Sequence, residues 1–218
     1  MSDRAARTAF VRTHTRLDRP PYLPELALHL AQDAIALWET VERRAGGAQM
    51  PPPFWAFAWA GGQALARHVL DHPETVAGRR VLDLACGGGV VAVAAARAGA
   101  ASVLAVDIDG YALAALTLNA AANGVTVTGE VADLVDGEPP DVDVVLAGDV
   151  CYSREMTGRV LAFLGRARDS GAEVLLGDPG RAYLPRERLE LVGTHQVPVP
   201  RTLEDADVKT AAVWRLTG

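Results

Sequence analysis

The sequence predicts an α/β fold: a doubly wound, mostly parallel seven-stranded sheet with an antiparallel final strand, preceded by a helical N-terminal cap. Three features lead there. After Gly78, short apolar runs alternate with alanine-rich stretches of helical length, and continuous apolar strands of this kind belong in a parallel sheet covered on both faces. The first run, VLDLACGGG at 81–89, stops on glycines, as a strand does where it turns into a helix beneath a ligand. At the far end, LVGTHQVPVP and VKTAAVWRL follow one another with no helix between them, which marks an antiparallel closing pair.

Along the chain, Leu26, Leu30, Ala34, Leu37 and Val41 recur every three or four residues, which predicts an amphipathic helix from Leu23 to Arg44 ending at Gly46 and Gly47. The MPPP tract at 50–53 breaks the chain. The aromatic-rich FWAFAW then leads into a short helix over about 62–70. Residues 1–75 are therefore assigned to the cap and 76–218 to the main domain. Strands are expected at 80–85, 102–107, 126–131, 142–148 and 172–177, before the closing pair, with helices at 90–98, 110–122, 154–168 and 184–190.

With 218 residues and 23.0 kDa, the chain suffices for one sizeable core. A formal charge of −6 and a pI near 5.4 argue against a broad nucleic-acid or anionic-membrane footprint, which needs clustered Lys and Arg. Arg supplies nearly all the positive charge, Lys209 being the lone lysine. Cys86 and Cys151 have neither metal-ligand nor disulfide-framework spacing, which suits a reducing cytoplasm. There is no apolar run of ~18 residues and no apolar core in residues 1–24. The expectation is a soluble, cytoplasmic monomer.

Chemistry concentrates at the strand ends. Glycines at 87, 88 and 89 let backbone approach a ligand and expose helix-start N–H groups. Twenty residues beyond Gly87, Asp107 ends the second strand, where a carboxylate can take both hydroxyls of a ribose. Gly87, Gly89 and Ala92 also satisfy G-x-G-x-x-A, which keeps a nicotinamide-dependent oxidoreductase open. Asp83, buried inside the first strand, adds nothing for a pyrophosphate. It would help a cofactor carrying an ammonium and a sulfonium, namely S-adenosylmethionine.

VLDLACGGG followed by AVDID resembles the first two motifs of the class I, seven-strand, Rossmann-like S-adenosylmethionine methyltransferases. GDVCY at 148–152 resembles the D-x-x-Y of lysine methyltransferases of that class. FWAFAWAGGQALARHVLDHP and LLGDPGRAYLP resemble blocks of the electron transfer flavoprotein beta-subunit lysine methyltransferase family. The resemblance implies a protein-lysine methyltransferase that uses S-adenosylmethionine, releases S-adenosylhomocysteine and favours that beta subunit as partner. Asp149 would orient the lysine amine and Tyr152 would wall its channel; the cofactor would be held by Trp59, Asp83, Gly87, Gly88, Gly89, Asp107, Ile108, Asp133, Leu134 and Gly148, with no metal.

Alternatives remain for several of these residues. Asp149 can be a helix cap, Trp59 a core aromatic like Trp55 and Phe57, and Asp133 a surface acid. Leu134 stands where some relatives carry tryptophan, which weakens stacking on an adenine. Arg181, after the rigid Asp178-Pro179-Gly180 turn, either meets an acidic partner or is solvated. Asn123 with Gly124 reads as a helix stop, and His68 with His72 as a solvated helix face. No N-P-P-Y or D-P-P-Y tetrapeptide is present, which disfavours planar amide or nucleobase nitrogens. Methylation of a small-molecule amine and a non-catalytic binding module stay as rival functions.

Overall fold

The computed structural model describes residues 3–200 and 206–218. In chain order the helices and strands are α1 (Asp3–His14), β1 (Arg16–Asp18), β2 (Leu28–Leu30), α2 (Ala34–Arg44), α3 (Ala60–Asp71), β3 (Arg80–Leu84), α4 (Val90–Arg97), β4 (Ser102–Asp107), α5 (Gly110–Ala122), β5 (Thr128–Val131), β6 (Val144–Gly148), α6 (Arg154–Asp169), β7 (Glu173–Asp178), β8 (Leu189–Pro198) and β9 (Val208–Leu216). Seven strands form the main sheet in the order β5-β4-β3-β6-β7-β9-β8. The five from β5 to β7 are parallel, while β9 runs antiparallel to both β7 and β8. This is the predicted architecture.

Side-chain alternation explains why the parallel strands read as continuous apolar runs. Along β3, Val81 joins Leu65, Val69 and Val91 on one face, while Leu82 and Leu84 join Phe163 and Leu164 on the other. Both faces are covered, so the positions between Val81 and Leu84 are apolar except Asp83, whose buried carboxyl accepts the Ala92 N–H. Phe163 and Leu164 are fully buried, each contributing about 1.5–3 kcal/mol.

The topology also fixes where a ligand can sit. From β3 the chain builds outward through β4 to β5, then crosses to β6 on the other side of β3. Its carboxyl-end crevice therefore opens between β3 and β6, at the point where the winding reverses.

The N-terminal segment departs from expectation. Asp33 caps α2, its side chain accepting from the Ile35 and Ala36 N–H groups, so the helix starts at Ala34 and not at Leu23. Leu23, Leu26 and Leu28 are buried in non-helical chain, whose backbone is taken by Asn119 of α5 and by Asn123, the residue that caps that helix. Asn123 bonds both the N–H and the carbonyl of Ala27 (2.9 and 2.6 Å), and Asn119 Oδ1 accepts the His29 N–H (2.7 Å). The i, i+3 leucine spacing is thus satisfied by two consecutive turns that run into the short strand β2. Phe10, Val11, Leu37, Val41 and Trp55 complete the docking against Ala112, Ala115 and Leu118 of α5.

The helix expected at 184–190 is also corrected. Pro185 precedes a single turn at Arg186–Arg188, and β8 already begins at Leu189, paired with Leu216. Elsewhere the differences are at boundaries: the third strand of the main domain begins at Thr128, and α3 begins at Ala60. Among the described residues, no helix is long and apolar enough to cross a membrane.

Candidate active site

Strand register assembles the site. Leu84 lies opposite Val106 on β4 and Ala147 on β6, and Gly148 lies opposite Gly177 on β7. The residues that follow, from Ala85 onward, Asp107, Asp149 and Asp178, therefore share one edge of the sheet. Among the described residues, the two non-glycine positive φ values occur here, Ala85 at 54° and Asp149 at 57°. Such backbone strain is retained where a site demands it.

The glycine turn is held from beneath and from the side. Asp83, 1% exposed, accepts the Ala92 N–H on Oδ2 (2.9 Å) and so anchors the first turn of α4. Burial pushes its carboxyl up to about 8; the Ala92 bond opposes this and the charge of Asp107 adds to it. Asp107 Oδ2 accepts the Gly87 N–H (2.8 Å) and Oδ1 the Asp109 N–H (2.9 Å), with burial raising its pKa. The Gly88 carbonyl accepts Asn119 Nδ2 (2.8 Å), and Gly89, at φ 80°, precedes α4. A Cβ on Gly88 would stand 2.6 Å from the Trp55 carbonyl oxygen, so this turn admits no side chain there.

On the other side of the crevice, Gly148 ends β6 and Asp149 follows. The Asp149 N–H donates to the Gly177 carbonyl (2.8 Å). Its carboxylate accepts the Gly62 N–H from α3 on Oδ2 (2.6 Å) and an Arg181 guanidinium N–H on Oδ1 (3.0 Å). Burial pushes Asp149 up to about 6, with Arg181 the largest opposing influence. The cap reading fails, because Ser153 caps α6 through the Met156 N–H (3.2 Å). Arg181 meets neither expectation: it pairs within its own chain.

The aromatics cluster at the rim. Tyr152 is 51% exposed, and its ring lies 6.0 Å from that of Phe54, which is 5.9 Å from Trp59. Trp59 is half-buried and donates its indole N–H to the Phe54 carbonyl (2.9 Å), whereas Trp55 is buried and stacks on Tyr111. Farther out, Asp133 pairs with Arg159 (2.9 Å), Leu134 packs against the core beside α6, and Ile108 is 69% exposed.

Other expectations resolve plainly. His68 is buried, not solvated, and its pKa is lowered mainly by that burial. Both cysteines are free; burial raises the Cys86 thiol well above its ordinary value and pushes Cys151 up to about 12, so neither is a thiolate nucleophile. The described residues contain no cluster able to hold a metal. Sequence reasoning missed Gly62 as a donor to Asp149 and Asn119 as the clasp on the glycine turn. An asparagine buried in a helix interior, where it is intrinsically unfavourable, was the available signal for the second.

Comparison with known proteins places this geometry. The family model for ribosomal protein L11 methyltransferase (PrmA) matches residues 64–150. Among solved structures, magnesium protoporphyrin IX methyltransferase from Synechocystis, with bound S-adenosylmethionine, superposes with a TM-score of 0.52 at 17% identity, covering 72% of this chain and 78% of that one, which shows a shared fold. The electron transfer flavoprotein beta subunit lysine methyltransferase of Danio rerio is 37% identical over 199 residues, 88% of this chain and 76% of the relative. The Homo sapiens protein of that name is 32% identical over 213 residues, 94% and 80% of the two chains. The chain belongs to the electron transfer flavoprotein beta subunit lysine methyltransferase family, whose fold and chemistry are those of class I S-adenosylmethionine-dependent methyltransferases.

Proposed function

We propose that this protein methylates a lysine of the electron transfer flavoprotein beta subunit, with Asp149 as the seat of the acceptor amine. The observation that carries the reading is the buried Asp149 carboxylate at the end of β6. Two of its roughly four acceptor positions are filled, by Gly62 and Arg181, which leaves capacity for an amine N–H on each oxygen. A hydrogen bond of that kind turns the nitrogen lone pair toward the crevice once a proton has left. Tyr152 and Phe54, each about half exposed, form an open rim, which supports a protein acceptor over a small amine.

S-adenosylmethionine, when bound, supplies the electrophilic methyl. The residues present fit it. Asp107 accepts one backbone N–H on each oxygen and keeps acceptor capacity for a ribose diol. The side-chain-free turn at 87–89 admits close backbone approach, Asp83 fixes that turn from beneath through the Ala92 N–H, and exposed Ile108 offers an apolar surface for a purine to cover. Asp133, Leu134, Gly148 and Trp59 complete the proposed cofactor set. Asp107→Ala is expected to weaken S-adenosylmethionine binding by about tenfold or more, measured by calorimetry; affinity within threefold of wild type would remove Asp107 from the ribose site.

The decisive test is transfer of radioactive methyl from S-adenosylmethionine to purified electron transfer flavoprotein of the same organism. Label on a beta-subunit lysine is expected. Cofactor binding without labelled flavoprotein would leave the methyltransferase and discard this acceptor.

A further inference from the structure

We propose that Arg181 is a positioning residue for the acceptor amine: held against Asp149 by the Asp178 turn, it keeps that carboxylate ionised and fixed in one orientation. The inference rests on the reading of Asp149 as the amine's seat. A carboxyl as enclosed as Asp149, with an 11% exposed side chain, favours its neutral form. Neutral, it would donate its O–H to the amine and engage the very lone pair that must attack carbon. A permanent positive charge in contact with one oxygen prevents this, and the Gly62 N–H fixes the other oxygen.

The structure puts effort into placing that guanidinium. Asp178, 1% exposed, accepts both the Gly180 and the Arg181 N–H on Oδ1 (2.7 Å each), and Gly180 takes φ 85°. This closed turn folds Arg181 back over the β6–β7 pairing, onto a carboxylate 32 residues away in sequence. Three other groups bear on Asp149. Asp178 opposes Arg181 from the same turn, the Cys151 thiol is neutral, and α3 presents the Gly62 N–H. Arg181 is thus the cation that decides the protonation of Asp149. Its positive charge also offsets the carboxylate's pull on a lysine ammonium, which eases loss of that proton to water before the amine attacks.

Two readouts test this: the midpoint of the Asp149 carboxyl, by carbon-13 NMR without cofactor, and the pH dependence of kcat/KM for methyl transfer. In Arg181→Gln, the midpoint and the acid limb of the profile are expected to rise together by about one pH unit or more, with S-adenosylmethionine affinity unchanged. Arg181→Lys, which keeps the charge and guards against a folding defect, is expected to retain the acid limb and lose at least about threefold in kcat, because a point charge cannot hold a carboxylate as a planar fork does. An unmoved midpoint and acid limb in the glutamine variant, or an unchanged kcat in the lysine variant, overturns the proposal. If Asp149→Asn transfers methyl at the wild-type rate, it is the acceptor reading that fails, whatever Arg181 does.

Discussion

Asp149→Asn is expected to lower kcat/KM for methyl transfer by about 100-fold or more while making the folded protein more stable at pH 8. The two effects share one cause. Asparagine is nearly isosteric and tolerates the positive φ of 57° at this position; its carbonyl can keep the Arg181 guanidinium, while its amide cannot accept the Gly62 N–H, which costs about 1 kcal/mol. What is lost is the charged acceptor that orients the amine. What is gained is relief from ionising a buried carboxyl. Asp149 is pushed up to about 6 in the folded protein, against about 3.9 in an unfolded chain.

The sign follows from that upward shift. The folded state binds the proton more tightly than the unfolded one, so the group stabilises the fold fully below the unfolded value and that contribution is lost as pH rises through about 6. The loss amounts to about 3 kcal/mol at most. Asparagine never ionises and avoids it. Thermal melts should therefore show the variant above wild type at pH 8, by less than the full ~3 kcal/mol because of the lost Gly62 bond, and slightly below it near pH 4. A variant that is inactive and also less stable at pH 8 would mean that the carboxylate holds the fold together, and its assignment to the amine would lose its main support.

The parts of the site legible in sequence are those set by local chain chemistry. Glycines after an apolar run announce a turn over a ligand, and an acid at a strand end announces a polar contact, because both depend on a few adjacent residues. The partner of Arg181 depends instead on the Gly148–Gly177 pairing, a register between strands separated by a helix. No short window contains it. The misread helix start at Leu23 has the same origin. Leu23, Leu26 and Leu30 fit helical periodicity, yet Asn119 and Asn123 on α5 bind the backbone at 27–29 and outcompete the helix. Asn123 was legible as a helix stop, and its second role as a strand clasp was not, since that role requires knowing what lies beside α5. The sheet survives such errors because its central strands β3, β6 and β7 are specified by burial on both faces, a property carried by nearly all of their residues.

Gly61→Ala is expected to damage the fold out of proportion to its size. The start of α3 lies backbone to backbone on β6 and β7: a Cβ on Gly61 would fall inside van der Waals contact of the Gly177 carbonyl oxygen and 2.7 Å from Asp149 Oδ2, and one on Gly148 would sit 2.9 Å from Gly62 Cα. Neither the Gly177 carbonyl nor the helix can give way independently, since the carbonyl receives the Asp149 N–H and Gly62 donates to the Asp149 carboxylate. Overpacking against backbone then costs about 3 kcal/mol, read as a lower urea midpoint. Activity should fall with it, because lifting α3 withdraws the Gly62 N–H from Asp149. The same chemical change at Gly158, a helical position in α6 with nothing within 4 Å of an added Cβ, is expected to stabilise by about 0.5–1 kcal/mol. Opposite signs from one methyl group would show that close approach, not glycine flexibility, is what position 61 requires; two stabilising results would mean that α3 can slide on the sheet and that the Gly62–Asp149 contact is not a fixed part of the site.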